Sequence, residues 1–181
     1  MSQAPIIVLD RDGVINEDSD DYIKSPDEWL PVPGSLEAIS RLSKAGFRIA
    51  VATNQSGLAR GYFDEYGLAR IHQKMLSLVE AEGGHIDTIC YCPHSPDDGC
   101  TCRKPGTGLL EQIAMEFQQS LDAATMVGDS IKDLQAAQAF GLTPVLVRSG
   151  KGRSSEGKLD QLGFPVDVYD TLSSYVDTVL G

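Results

Sequence analysis

Pro5-Ile6-Ile7-Val8-Leu9-Asp10-Arg11-Asp12-Gly13-Val14 decides how the rest of the chain is arranged. Ile6 to Leu9 is an unbroken apolar run, which predicts a short strand buried on both faces. Two carboxylates follow before Gly13 releases the backbone. In an extended chain residues i and i+2 point to the same side, so Asp10 and Asp12 can face one cleft at the strand's carboxyl end. Ligands bind at that end in open α/β sheets. Two acids this close repel unless a cation, a proton or a hydrogen bond separates their roles.

Outward from this strand the chain alternates. Residues 16–33 are polar and broken by Pro26, Pro31 and Pro33, a flap too long for an idle connector. Leu36, Ile39, Leu42 and Ala45 recur at helical spacing, with Gly46 placed to end that helix. Further strands are expected at 47–53, 86–91, 125–127, 144–147 and 166–168. Helices are expected at 64–82, 109–117, 131–140 and 172–180, and 149–158 reads as a flexible stretch. Strands alternating with helices imply an α/β fold, a central parallel sheet covered on both faces.

The composition narrows the function. The chain has 181 residues, enough for one domain with a sizeable core. A formal net charge of -11 argues against non-specific nucleic-acid binding, which depends on neutralising phosphates. An anionic small substrate would need a local basic pocket and a metal against that background. There is no basic segment leading into a long apolar one at the N-terminus, and no apolar run of membrane-spanning length. A cytoplasmic monomer with no membrane or nucleic-acid partner is expected. Four cysteines crowd between positions 90 and 102, which without an export signal reads as metal binding rather than a disulfide framework.

Each chemistry-bearing loop sits where a predicted strand ends. Asp10 and Asp12 follow the first, Thr53-Asn54-Gln55-Ser56 the second, Arg103-Lys104 the Cys-rich loop after the third, and Asp129 the fourth. A parallel sheet brings those ends to one edge. Mg²⁺, a hard cation, suits Asp10 and Asp129, while Thr53, Arg103 and Lys104 supply what a phosphoryl group demands. Taken alone, Asp129 could equally be a helix N-cap.

LDRDGVIN, TNQSG, CRKP and VGDSIKDL resemble, in order, the four motifs of the haloacid-dehalogenase-like (HAD) phosphatases. The resemblance implies a Rossmann-like HAD fold and an aspartyl-phosphate intermediate on Asp10. It makes Asp12 the general acid and then the base. Thr53 and Lys104 would hold the transferred phosphoryl group. Asp10, the Asp12 carbonyl and Asp129 would hold Mg²⁺, with Asp133 supporting that site from behind.

Cys92-Pro93-His94 with Cys100-Thr101-Cys102-Arg103-Lys104-Pro105 is similar to the zinc loop of a HAD subgroup. It implies Zn²⁺ on Cys92, His94, Cys100 and Cys102, a set that suits a closed tetrahedral structural site. A four-cysteine set including Cys90 is the alternative, although Cys90 also reads as a buried small hydrophobe. His72 and His85 read as solvated bystanders. The subgroup acts on small phosphate esters. TNQSGLARGYF with Arg60, and VLVRSGKG with Lys151, resemble the subgroup members that take a heptose bisphosphate, which implies that substrate, on the route to nucleotide-activated heptose. Histidinol phosphate is the alternative, with the flap acids Asp18, Asp20 and Asp21 facing its amine. Asn54, Gln55, Ser56, Arg60, Arg103 and Lys151 are the expected substrate contacts. Ser130 stands where some relatives carry lysine, and neither loop insertion has room for a cap domain. A non-catalytic zinc-stabilised module and a phosphoryl-holding receiver domain are the competing classes; neither needs Asp12 beside Asp10 and Asp129.

Overall fold

Alternation within one four-residue strand divides the core in two. The computed structural model describes residues 3–181, and in it β1 (Ile6–Leu9) is buried at every position. Ile7 and Leu9 pack into one hydrophobic cluster, Ile6 and Val8 into another on the opposite face. The same division continues along β2 (Arg48–Asn54), where Ile49 and Val51 join the first cluster and Ala50 and Ala52 the second. A strand apolar on both sides needs cover on both sides, which a parallel sheet obtains from its crossover helices.

The remaining strands are β3 (Thr88–Cys92), β4 (Thr125–Gly128), β5 (Thr143–Val147) and β6 (Asp167–Tyr169). Among the described residues the six form one sheet in the order β3-β2-β1-β4-β5-β6, every pair parallel. The helices are α1 (Ser35–Lys44), α2 (Glu65–Ala81), α3 (Gly108–Phe117), α4 (Ile131–Phe140), α5 (Gly152–Glu156) and α6 (Leu172–Leu180). Side chains of α1, α2 and α6 fill the first cluster; those of α3 and α4 fill the second. The sheet grows one way from β1 through β2 to β3, then returns to place β4 on the other flank of β1. The β1–β4 junction is therefore the topological switch point, where an open α/β sheet leaves a crevice at its carboxyl edge.

Local chemistry sets the helix ends. Asp64 caps α2 by accepting from the Gly67 amide at 2.7 Å. Ser130, rather than Asp129, is the N-cap of α4, in a capping box with Asp133. This leaves the Asp129 side chain for the crevice.

One expectation changes. The 149–158 stretch, rich in Gly and Ser, contains α5 and is tied to the end of β4. The Ser155 hydroxyl donates to the Asp129 carbonyl and the Lys151 amide to Asp129 Oδ2, each at 2.8 Å. The flap is also anchored at its base. Trp29 is fully buried, and Lys74 of α2 donates to the Pro26 and Trp29 carbonyls at 2.7 and 2.8 Å. Beyond β1 and β3 the connecting segments hold only the short 3₁₀ turns Pro26–Glu28 and Pro96–Asp98. No helix among the described residues is long and apolar enough to cross a membrane.

Candidate active site

Asp10 leaves the end of β1 almost fully buried, and its Oδ1 accepts from the Arg11 amide at 2.8 Å and lies 3.1 Å from Lys104 Nζ. Asp129 leaves β4 beside it. The Asp129 carboxylate rests where side chains would otherwise stand: a Cβ on Gly13 would come within 2.1 Å of Oδ2, and one on Gly150 within 2.3 Å. Both glycines also hold positive φ, so the approach and the backbone turn require the same residue. Asp133, one turn into α4, completes the group; one carboxylate oxygen from each acid lies within 4.8 Å of the others.

Three carboxylates against one ammonium is an unbalanced charge in a buried site. Asp133 Oδ1 accepts from Lys104 Nζ at 2.6 Å, while its Oδ2 accepts from the Asp129 and Ser130 amides and the Ser130 hydroxyl. Burial, then Asp133, pushes Asp10 well above the usual carboxylate range, and the same two causes raise Asp129 to about 7. Burial disfavours the Lys104 ammonium, yet Asp10 and Asp133 outweigh it and hold its pKa above the ordinary lysine value. A cation between Asp10 and Asp129 would relieve this repulsion, and all-oxygen donors suit Mg²⁺.

Asp12 is held differently. Burial alone would raise it, but Arg11, Asn16 and Gln55 lower it instead. Asn16 donates to Oδ1 and Gln55 to Oδ2, each at 2.9 Å, and Arg11 adds Nη2 to Oδ1 at 2.8 Å. Gln55 also donates to the Thr53 hydroxyl at 3.0 Å, which ties the β2 loop to the β1 loop.

The crevice has a volume of about 610 Å³, and its lining includes both the acids Asp10, Asp12, Asp129 and Asp133 and the cations Arg103, Lys104, Lys132, Lys151 and Lys158. Asn54, Gln55 and Ser56 line it as well, and Asn54 exchanges two hydrogen bonds with the Lys104 backbone, at 3.0 and 3.1 Å. Thr53 is buried and does not reach the lining. Arg60 does not line it either. It is exposed, with its guanidinium 5.9 Å from the centre of the Tyr22 ring. One nitrogen of Arg103, Nη1, is buried without a hydrogen-bond partner. Lys151 Nζ lies 3.5 Å from Asp18 Oδ2 of the flap.

The second cluster is sulfur-rich. Cys102 Sγ lies 3.0 Å from Cys92 Sγ and 3.2 Å from His94 Nδ1, and Cys100 Sγ 3.6 Å from Cys92 Sγ. Cys90 points into the second hydrophobic cluster, where burial raises its thiol to about 11. Four donors converging at such distances fit a tetrahedral ion with bonds of about 2.0–2.3 Å. Cys102 immediately precedes the pair Arg103-Lys104, so whatever fixes this loop fixes both cations.

Arg11 and Lys132 carry no signal in the sequence reading, and His72 departs from it. Arg11 lies between the two acids and is fully buried against Asp12. His72, expected in solvent, is buried and 3.1 Å from Arg11 Nη1. The helical pattern of α2 puts it on the inner face beside Ile71 and Met75, a position the spacing already contained. Lys132 lines the crevice two residues beyond Ser130, on the first turn of α4.

A parallel sheet with an acid pair at β1, an acid at β4 and a buried lysine between them defines a HAD-like hydrolase. A HAD-hydrolase-like family model matches residues 101–174. The chain is 56% identical to D-glycero-beta-D-manno-heptose-1,7-bisphosphate 7-phosphatase of Pseudomonas aeruginosa, over 84% of this chain and 86% of that one. The Neisseria meningitidis protein of the same name is 46% identical over 97% and 94%. The crystal structure of D,D-heptose 1,7-bisphosphate phosphatase from B. bronchiseptica, complexed with magnesium and phosphate, superposes with a TM-score of 0.91. It is 48% identical and covers 97% of this chain and 98% of that one. The chain belongs to this family, the heptose-1,7-bisphosphate 7-phosphatases of the HAD-like hydrolases.

Proposed function

We propose that the protein is a magnesium-dependent phosphatase that removes the 7-phosphate of D-glycero-β-D-manno-heptose 1,7-bisphosphate through an aspartyl-phosphate. The observation that carries this reading is a crevice lined by Asp10, Asp12, Asp129 and Asp133 together with Arg103, Lys104, Lys132, Lys151 and Lys158, at the switch point of the sheet. Its support from kinship is the name borne by relatives such as the P. aeruginosa protein.

The steps follow from the residues. Both hydrogen bonds to Asp10 use Oδ1, so among the described residues Oδ2 has no protein donor and is the attacking oxygen. As its bond to phosphorus forms, the bond from phosphorus to the sugar oxygen breaks, and Asp12, ionised in the free enzyme and protonated as the anionic substrate enters, gives that oxygen its proton. Water then attacks the aspartyl-phosphate, passing a proton back to Asp12, and inorganic phosphate leaves. Lys104 balances the charge of the transferred group, and Thr53, buried behind the lining, holds Gln55 in place. Mg²⁺ held by Asp10, the Asp12 carbonyl and Asp129 would neutralise phosphoryl charge, and Asp133 keeps Lys104 and Asp129 in place. Zn²⁺ on Cys92, His94, Cys100 and Cys102 would be structural, pinning Arg103 and Lys104.

Of the remaining cations in the lining, Arg103, Lys132 and Lys151 would anchor the second phosphate. Charge-assisted contacts contribute roughly 1.5–3 kcal/mol each. Removal of the distal phosphate should therefore lower kcat/KM on the order of 10-fold to 150-fold. The test is a substrate panel with Arg103→Ala: the preference for a bisphosphate over its monophosphate should largely vanish in the variant. Histidinol phosphate is the competing substrate, since Asp18 and Asp20 line the crevice. Asp18 is already engaged by Lys151, which weakens that case. Faster hydrolysis of histidinol phosphate than of any sugar bisphosphate would overturn the assignment.

A further inference from the structure

Arg11 separates the two catalytic acids, and strand alternation sends its side chain away from them into the body of the protein. There it is entirely buried. The guanidinium turns back toward the site: Nε and Nη2 both donate to Asp12 Oδ1, at 3.1 and 2.8 Å. Its third nitrogen, Nη1, is 3.1 Å from Nε2 of His72 on α2. A guanidinium has donors only, so the imidazole nitrogen facing it must be the acceptor, and the ring proton sits on Nδ1. Burial and the neighbouring Arg11 favour the same neutral ring, lowering His72 to about 3.

The Asp12 carboxylate is thereby loaded unequally. Oδ1 accepts from Arg11 twice and from Asn16, whereas Oδ2 accepts from Gln55 alone. We propose that Arg11 and His72 are positioning residues, His72 seating the guanidinium and the guanidinium fixing Asp12 by Oδ1, so that Oδ2 meets the departing ester oxygen. This rests on the reading of Asp12 as general acid. In that step the Oδ2–H bond breaks, the sugar oxygen gains the proton as its bond to phosphorus breaks, and Asp12 becomes a carboxylate. Arg11 then faces the charge just formed. Lys74 holds the flap from the same helix, so α2 braces the β1 loop and the flap together.

The test compares kcat/KM for the heptose bisphosphate and for p-nitrophenyl phosphate on one preparation of each variant. The ratio is independent of the folded fraction, and nitrophenolate leaves without needing a proton. His72→Leu removes the acceptor, His72→Gln restores one, and Arg11→Lys keeps the charge without the fork. His72→Leu and Arg11→Lys are expected to reduce the sugar ester about tenfold, part of the full contribution of a general acid, and p-nitrophenyl phosphate less than about twofold. His72→Gln should recover most of the loss. An equal fall on both substrates, or a His72→Gln variant as impaired as His72→Leu, overturns the proposal. Asp12→Asn separates the two levels. If it loses the sugar ester selectively while His72→Leu does not, only the positioning role fails; if it falls equally on both substrates, the acid role fails and takes the positioning role with it.

Discussion

The two ligand clusters differ in chemistry and in what surrounds them. Asp10, Asp129 and Asp133 are hard oxygen donors, all buried at the edge of a finished sheet, whose backbone would hold them with or without an ion. Cys92, His94, Cys100 and Cys102 are soft donors, and only Cys92 is fully buried; the others belong to a loop whose sole regular element is a 3₁₀ turn. The first arrangement combines burial with mutual repulsion, both of which raise Asp10 and Asp129, and so favours a cation where charge must be handled. The second sits at the border of the α3-side hydrophobic cluster on a loop with little regular structure, and a metal would tie that loop down. The lesson is that burial of the scaffold, not the number of ligands, separates an ion used for chemistry from an ion used for folding.

The widest separation between the clusters should come from removing one ligand in each. Asp10→Asn is expected to lower turnover by at least ~10²-fold, while thermal unfolding stays unchanged or moves upward because a repelling charge is gone. Steady-state kinetics and calorimetry on the same protein check both halves. Substantial turnover by Asp10→Asn would sink the aspartyl-phosphate route.

Cys100→Ser should do the reverse. Elemental analysis is expected to find the zinc lost, and Tm lower by about 5–10 °C, the shift that roughly 2–4 kcal/mol produces in a chain of this size. Cys90→Ser should keep its zinc and unfold only slightly earlier, since Cys90 is a buried core residue that is not among the four convergent donors. Zinc lost from Cys90→Ser would mean that the ligand set is wrong.

The smallest effect is in pH. Folding raises Asp129 to about 7 from an ordinary value near 4, so the folded state holds more protons between those values. With magnesium withheld, the contribution of Asp129 to stability is therefore greatest at the acidic end and declines as pH rises through about 7. The sulfur cluster has the opposite sense, because its ligands must lose protons to bind zinc. The difference in Tm between wild type and Asp129→Asn should widen in favour of the variant from about pH 5 to 7.5, and added magnesium should reverse it. A difference independent of pH would show that repulsion at this centre is not what folding opposes.

The apolar run ahead of Asp10 predicts a doubly covered strand, and the alternation of elements predicts the parallel sheet that the chain forms. These features are legible because they depend on period and on turn residues, which are local. The motif residues Asp10, Asp12, Lys104 and Asp129 are legible for a related reason, since parallel strands carry their carboxyl ends to one edge whatever the loops do. The Gly- and Ser-rich 149–158 stretch misleads because its order comes from Asp129, which lies about twenty residues back in sequence and in contact only after β4 and β5 pair. Arg60 stands by the right loop, yet its guanidinium lies 5.9 Å from the ring centre of Tyr22, a lining residue, without lining the crevice itself, an outcome that side-chain packing decides. His72 and Arg11 are the clearest case. They are 61 positions apart, and no local pattern says that a buried guanidinium needs an acceptor that α2 must supply. Sequence by itself determined which residues reach the sheet edge, because backbone periodicity is a property of neighbours. Tertiary structure decided which of them face an unbalanced charge, because burial and Coulomb interaction depend on what the folded chain brings within a few ångströms.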